Sequence, residues 1–210
     1  MKASFHKFTA ALFAACLFTL FACSSDDGGE NNPPIIYGPT VRHGGEDYQT
    51  VVIGNQTWFA RNLNYDVSGS KCYSNDIVNC FHYGRLYNWE TAMTACPSGW
   101  HLPTDAEWET LMNYAGGSSN AGKKLKAISH TDNGTNDYGF SALLGGSFSL
   151  FETSGQSIFL FLDYSGHWWS ASEVNSDHAY SREMVYGKEY VNSSSSHKSV
   201  YHVSVRCLKN

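Results

Sequence analysis

Apolar and polar positions alternate in three different ways along the chain. From Phe8 to Ala22 the apolar residues run almost unbroken, as 8-FTAALFAACLFTLFA-22. In the middle of the chain they recur at strand and helix spacings. Beyond residue 146 they come in short β-rich runs separated by turns. The stretch 47-DYQTVVIGNQTWFARNL-63 places two runs rich in Val, Ile, Thr and Trp around Gly54-Asn55, which predicts a β-hairpin. In 85-RLYNWETAMTAC-96, Leu86, Trp89, Met93 and Cys96 fall at helical spacing before Pro97-Ser98-Gly99, which predicts a first helix.

The second predicted helix lies in 100-WHLPTDAEWETLMNYAGG-117, a stretch dense in residues that also do chemistry. Thr104 and Glu107 have the spacing of a capping box, and Asp105 sits in the first turn, where the helix dipole favours a negative charge. Trp108, Leu111, Met112 and Ala115 form one apolar face, and Gly116-Gly117 stops the helix. Only His101 is left without a structural task, and a lone histidine beside Trp100 is ordinary packing. This cluster reads as scaffold.

After an amphipathic piece, 121-AGKKLKAI-128, the segment 129-SHTDNGTNDYGFSALLGG-146 predicts a long irregular loop, where function tends to lie. Strands are predicted over 147–152, 157–164, 167–172, 179–187 and 200–209. A hairpin, two helices, long loops and then a mostly antiparallel sheet define an α+β domain.

The first apolar run holds fifteen residues behind Lys2 and Lys7. A membrane-crossing helix needs roughly 20, so the run reads as a signal-peptide core. It ends at 20-LFAC-23, which is similar to a bacterial lipobox. Residues 1–22 are then a lipoprotein signal peptide, and Cys23 is lipidated, palmitate included. Residues 23–45, polar and turn-rich, read as a tether, and residues 46–210 as one domain. The SSDD start after Cys23 is similar to surface-export signals, so the expected location is the outer membrane, lipid-anchored, with both leaflets, and hence surface exposure, left open. The chain has 14 Lys and Arg against 19 Asp and Glu, a net charge of −5, and no basic stripe for nucleic acid. Of the cysteines, Cys72, Cys80, Cys96 and Cys207 remain in the domain. An exported context implies disulfides with three connectivities open. Cys72–Cys80, around a short polar loop, and Cys96–Cys207, tying mid-chain to the last strand, are preferred.

The runs VVIGNQTWFARNLNY, CYSNDIVNCFHYGRLYNWETAMTACPSGWHLPTDAEWETL, GTNDYGFSALLGG, WWSAS and VSVRCLK resemble, in order over residues 46–209, the Fibrobacter succinogenes major paralogous domain. That resemblance implies a C-type-lectin-like fold, with two helices on a twisted sheet and long loops. A disulfide from the first helix to the last strand is common there, which again favours Cys96–Cys207. It also implies an exported, adhesive role without an established activity. HLPTDAEWE is similar to a run of the formylglycine-generating enzymes, but the comparable late segment 179–191 lacks the two copper-binding cysteines, so that activity does not carry over. The calcium-dependent sugar motifs Glu-Pro-Asn, Gln-Pro-Asp and Trp-Asn-Asp do not occur either.

Two sets of residues are candidates for a site. Asp132, Asn133, Asn136 and Asp137 in one loop, and Glu173, Asn175 and Asp177 in another, offer hard oxygens for a structural calcium; turn chemistry is the competing account. Trp168 and Trp169 are neighbours on a strand and point to opposite faces, so one packs inside and the other meets a second layer or a ligand. Tyr164, His167 and Tyr180 would be its neighbours. No hydrolase, phosphate-loop or zinc-helix motif occurs. The expected function is non-catalytic binding of a polysaccharide or surface protein, with an enzyme site in loop 129–146 as the alternative.

Overall fold

A computed structural model describes residues 34–151 and 155–210. The signal segment, Cys23 and the start of the tether lie outside the described residues. The chain runs β1 (Ile36–His43), β2 (Glu46–Ile53), β3 (Gln56–Phe59), α1 (Ile77–Tyr83), β4 (Leu86–Tyr87), α2 (Trp89–Ala95), β5 (Trp100–His101), α3 (Asp105–Tyr114) and α4 (Ser118–Leu125). It continues with β6 (Gly145–Phe151), β7 (Gln156–Leu162), β8 (Ser165–Glu173), β9 (His178–Val185), β10 (Val191–His197), β11 (Tyr201–Ser204) and β12 (Leu208–Lys209). The class is α+β, with four α-helices among the described residues rather than two.

Two sheets organise these elements. One has the order β1-β2-β3-β12-β5; the other runs β10-β9-β8-β11-β6-β7, with β4 added to β11. The Gly54-Asn55 hairpin forms as predicted, with Ile53 opposite Gln56. Gly54 has φ +62°, and a Cβ there would stand 2.9 Å from the Tyr114 ring, so the turn admits no side chain. The capping box of α3 is present, the Glu107 carboxylate accepting from the Thr104 amide at 2.8 Å. Trp108, Leu111, Met112 and Ala115 are all buried.

Elsewhere tertiary pairing overrides the local pattern. The first predicted helix begins only at Trp89, capped by Asn88, because Leu86 and Tyr87 pair with Ser204 and Val203. Its inner face is Trp89, Ala92 and Ala95, while Met93 is exposed. Helix α1 was not expected; it buries only Cys80 and so lacks an apolar stripe. Part of the expected tether is strand β1, paired with β2 across a bulge between Gly38 and Val41. Pro39 lies in that bulge, where an edge strand tolerates it. The predicted strand 200–209 divides between the two sheets, and Val205-Arg206-Cys207 cross from one to the other.

That crossing is where the two sheets are locked. Cys207 is bonded to Cys96 and Cys72 to Cys80. Arg206 is fully buried and has no carboxylate partner among the described residues. Its guanidinium donates to the carbonyls of Phe59 and Phe140, to Ser141 O at 3.4 Å and to Asn62 Oδ1 at 2.8 Å. It also lies over the Phe140 ring at 4.1 Å. Burial pushes its pKa down to about 9, so it stays charged at neutral pH and is solvated by backbone dipoles instead of a counter-ion.

Candidate functional site

The aromatic pair resolves in favour of a second layer. Trp168 packs with Trp58, Trp108 and Phe140, while Trp169 packs with Tyr48, Phe59 and Tyr87. Both indoles are fully buried. Trp168 donates to Asn62 Oδ1 at 2.8 Å and Trp169 to Tyr87 O at 2.7 Å. With both faces and both N–H groups engaged inside, neither indole is a ligand platform. Strand β8 is therefore a partition between two cores. Tyr164 is 56% exposed, Tyr180 is half-buried, and His167 alone of the five aromatic candidates lines a cleft.

The acidic loops do surround cations, but the cations are the chain's own lysines. Lys126, 1% exposed, donates to Asp132 Oδ1 at 2.8 Å, to Asn133 Oδ1 at 2.6 Å and to Val185 O at 3.2 Å. Burial would raise the Asp132 pKa, yet Lys126 and the Gly187 and Asn133 amides outweigh it and hold the carboxyl low. Lys198 donates to Glu173 Oε2 at 2.8 Å and to the carbonyls of Asn175 and Ser176, both at 3.0 Å. Its ammonium lies 4.5 Å from the centre of the Trp89 ring. Asn136 spends its amide on Ser141, and Asn175 caps the Asp177 and His178 amides. Asp137 is buried. Of the oxygen donors that read as calcium ligands, Asp132 and Asn133 thus serve one ammonium and Glu173 another, in two separate cages. Among the described residues, no group of three or more His, Cys, Asp or Glu side chains is arranged to hold a metal ion.

His101 also has partners: Glu107 at 3.0 Å on Nε2 and Asn210 Oδ1 at 2.7 Å on Nδ1. Burial would raise the Glu107 pKa, but the Thr104 amide and hydroxyl and His101 lower it overall. This set ties the chain end to the α3 cap.

The chemistry that remains unspent lies on the seven-stranded sheet. Pairing of β8 with β9 sets His167 opposite Glu183 and Trp169 opposite Ser181, and β9–β10 pairing sets Ser181 opposite Ser194. Alternation then puts His167, Glu183, Ser194 and Ser196 on one face. The Ser181 hydroxyl bonds those of Ser194 and Ser196 at 3.0 and 3.1 Å. A cleft of about 310 Å³ lies over this face, edged by Phe161, Tyr201, His178 and His197. Phe161 has φ +67° and is 49% exposed, its ring 6.3 Å from that of His167. A bulky residue in the left-handed region is unusual and is held there by its surroundings.

His167 bonds the Ser165 hydroxyl at 2.8 Å and approaches Glu183 at 3.8 Å. Both contacts fall on Nε2, so Glu183 does not orient the ring from Nδ1 while Nε2 takes a serine proton. Nucleophilic catalysis of the serine–histidine–acid type needs that division. Burial lowers the His167 pKa, with Glu183 opposing, which makes the ring a neutral hydrogen-bonding group. Sequence reasoning missed Phe161, Glu183, Tyr201 and the β10 serines. Only the alternation of 191-VNSSSSH-197 against its neighbours would have revealed them, and a serine run hides alternation.

A second cleft, of about 510 Å³, uses the loop expected to hold function: Ile128 to Asp132 face His82, Tyr83, Asp163 and Tyr186 across it. The Tyr83 hydroxyl donates to Asp163.

Fold and site together define a disulfide-stapled α+β domain with two sheets and a polar cleft on the larger one. The chain belongs to the Fibrobacter succinogenes major domain family, whose model matches residues 51–209. No curated protein and no solved structure matches it. No helix among the described residues is long and apolar enough to cross a membrane.

Proposed function

We propose that this protein is a lipid-anchored envelope component whose domain binds a polysaccharide, without catalysis, in the cleft over β8, β9 and β10. The observation that carries the reading is the lining of that cleft. Hydroxyls, imidazoles and one carboxylate stand beside two exposed rings, Phe161 and Tyr201. A sugar presents both an apolar face, for a ring to cover, and hydroxyls that need partners of both polarities. A surface protein is the alternative ligand.

The arrangement is consistent with a C-type-lectin-like fold, since the Cys96–Cys207 bond joins the end of α2 to the start of the last strand. Cys23 carries the lipid, residues after it form the tether, and the domain stands off an outer-membrane surface. Loss of palmitate labelling in Cys23→Ser cells tests the anchor. For the ligand, the full chain is screened against polysaccharides at neutral pH. Phe161→Ala and Glu183→Gln should each weaken the best binder by about tenfold. No binder in the panel, or one insensitive to both substitutions, rejects this cleft.

A further inference from the structure

The larger cleft points to a different ligand. The turn whose Phe161 edges the sugar cleft contributes Asp163 to the other one, at φ +59° and exposed. Asp163 accepts from the Tyr83 hydroxyl and has no lysine or arginine partner among the described residues. Nor does any lysine or arginine line this cleft, and its other carboxylate, Asp132, is already neutralised by Lys126. An uncompensated negative charge therefore faces a cavity of about 510 Å³.

The walls suit a cation with an apolar stem. Tyr83, Tyr186 and His82 line it, and aromatic rings attract ammonium groups while packing against their methylenes. Ile128 stands at the mouth, 76% exposed. Helix α1, which carries His82 and Tyr83, also exposes Ile77, Val78 and Phe81. The Cys72–Cys80 bond ties α1 to the preceding turn, so this wall is formed before anything binds.

We infer that this cleft receives a lysine side chain from a polypeptide partner, with Asp163 as its counter-ion and apolar neighbours of that lysine resting on Ile128 and α1. The apolar rim favours a polypeptide over a free polyamine, which would leave it uncovered. Burial and the Asp163 charge both raise the Tyr83 pKa, so the phenol remains a donor to Asp163. This inference does not depend on the sugar cleft.

The test titrates the full chain at low salt with a capped Gly-Gly-Leu-Lys-Leu-Gly-Gly peptide, its glutamine counterpart, and spermidine. The lysine peptide should bind at least about tenfold tighter than the glutamine one, and Asp163→Asn should erase that preference. Asparagine adopts left-handed backbone readily, so the variant keeps its fold; an unchanged near-ultraviolet spectrum of its buried tryptophans checks this. Phe161→Ala should retain the preference. Equal binding of the two peptides, or a preference that survives in Asp163→Asn, overturns the lysine site. Spermidine binding as tightly as the peptide overturns the polypeptide source.

Discussion

The two sheets of this domain spend their polar residues differently. At the junction of the five-stranded sheet with the larger one, the conspicuous polar groups are engaged by distant parts of the chain. Arg206 is solvated by carbonyls, Cys207 is bonded to Cys96, and His101 bridges Glu107 to the chain end. At the outer strands β7 and β10, serines, histidines and aromatic rings stay half-exposed beside clefts. The difference shows that conspicuous residues near the centre of such a chain serve architecture, whereas the plain serine-rich edge, bonded in part to Ser181 and Arg182, stays open to solvent. Substitutions should divide accordingly, into those that cost stability and those that cost binding.

The sharpest way to break this contrast is to cut the staples. Cys96 and Cys207 are 111 residues apart, and replacing both with serine should cost on the order of 4–5 kcal/mol in urea unfolding, by the loop-entropy account. The Cys72–Cys80 pair closes a separation of only 8, and its loss should cost about 2.5 kcal/mol. Equal costs for the two would mean that α1 and its turn are as central to the fold as the crossing segment.

Next in size come the caged lysines. Lys126→Met leaves Asp132 buried beside no ammonium and should destabilise by about 3–5 kcal/mol. Lys198→Met releases Glu173, which is 55% exposed and rehydrates, so about 1 kcal/mol is expected. Comparable losses, or stabilisation of either variant by millimolar calcium, would return these loops to the metal-binding account.

The pH dependence sharpens the same division. Burial, with Lys71 adding to it, lowers the His202 pKa to about 4 from an ordinary 6.5, and the Nδ1 atom of this ring has no hydrogen-bond partner among the described residues. The unfolded chain therefore binds the proton first, and stability falls as pH drops from 6.5 towards 4, by roughly 3 kcal/mol for this group. Glu107 and Asp132, whose native carboxyls are held under their ordinary values, add a loss of the same sign only at the acid end, as pH falls through the ordinary carboxylate range. Thermal melts of His202→Phe should show a flatter slope between pH 6.5 and 4. An unchanged slope would shift the effect to His167, on the binding face.

The smallest expected effect on stability belongs to the cleft itself. Phe161→Ala and Glu183→Gln should change unfolding free energy by less than about 0.5–1 kcal/mol while altering ligand binding. A large loss of stability would make Phe161 part of the core and erase the contrast between the two sheets.

Much of the scaffold was legible along the chain because it rests on short-range rules. The Gly54-Asn55 hairpin, the Thr104–Glu107 box and the apolar face of α3 each require residues only a few positions apart, and the patterns fix them. The two cysteine pairings were favoured by a short intervening loop and by family resemblance. The predicted sites were legible only as residue types: Asp132 and Glu173 offer oxygens, but nothing local names Lys126 or Lys198 as the group those oxygens meet. In the same way, alternation dictated that Trp168 and Trp169 face apart, yet only the packing of a layer on each side of β8 decided that both are covered.

By itself, then, the sequence determined the local elements, the alternation of faces and the wealth of groups able to bond. The tertiary structure alone decided which of those groups are consumed. Strand register brought His167 to Glu183 and Ser181 to Ser194, and pairing with β11 drew Leu86 and Tyr87 out of a helical pattern. Hydrogen bonds and burial saturate: once a donor or an indole face is engaged by a residue distant in sequence, it is lost to any ligand, and that partner is set by the fold.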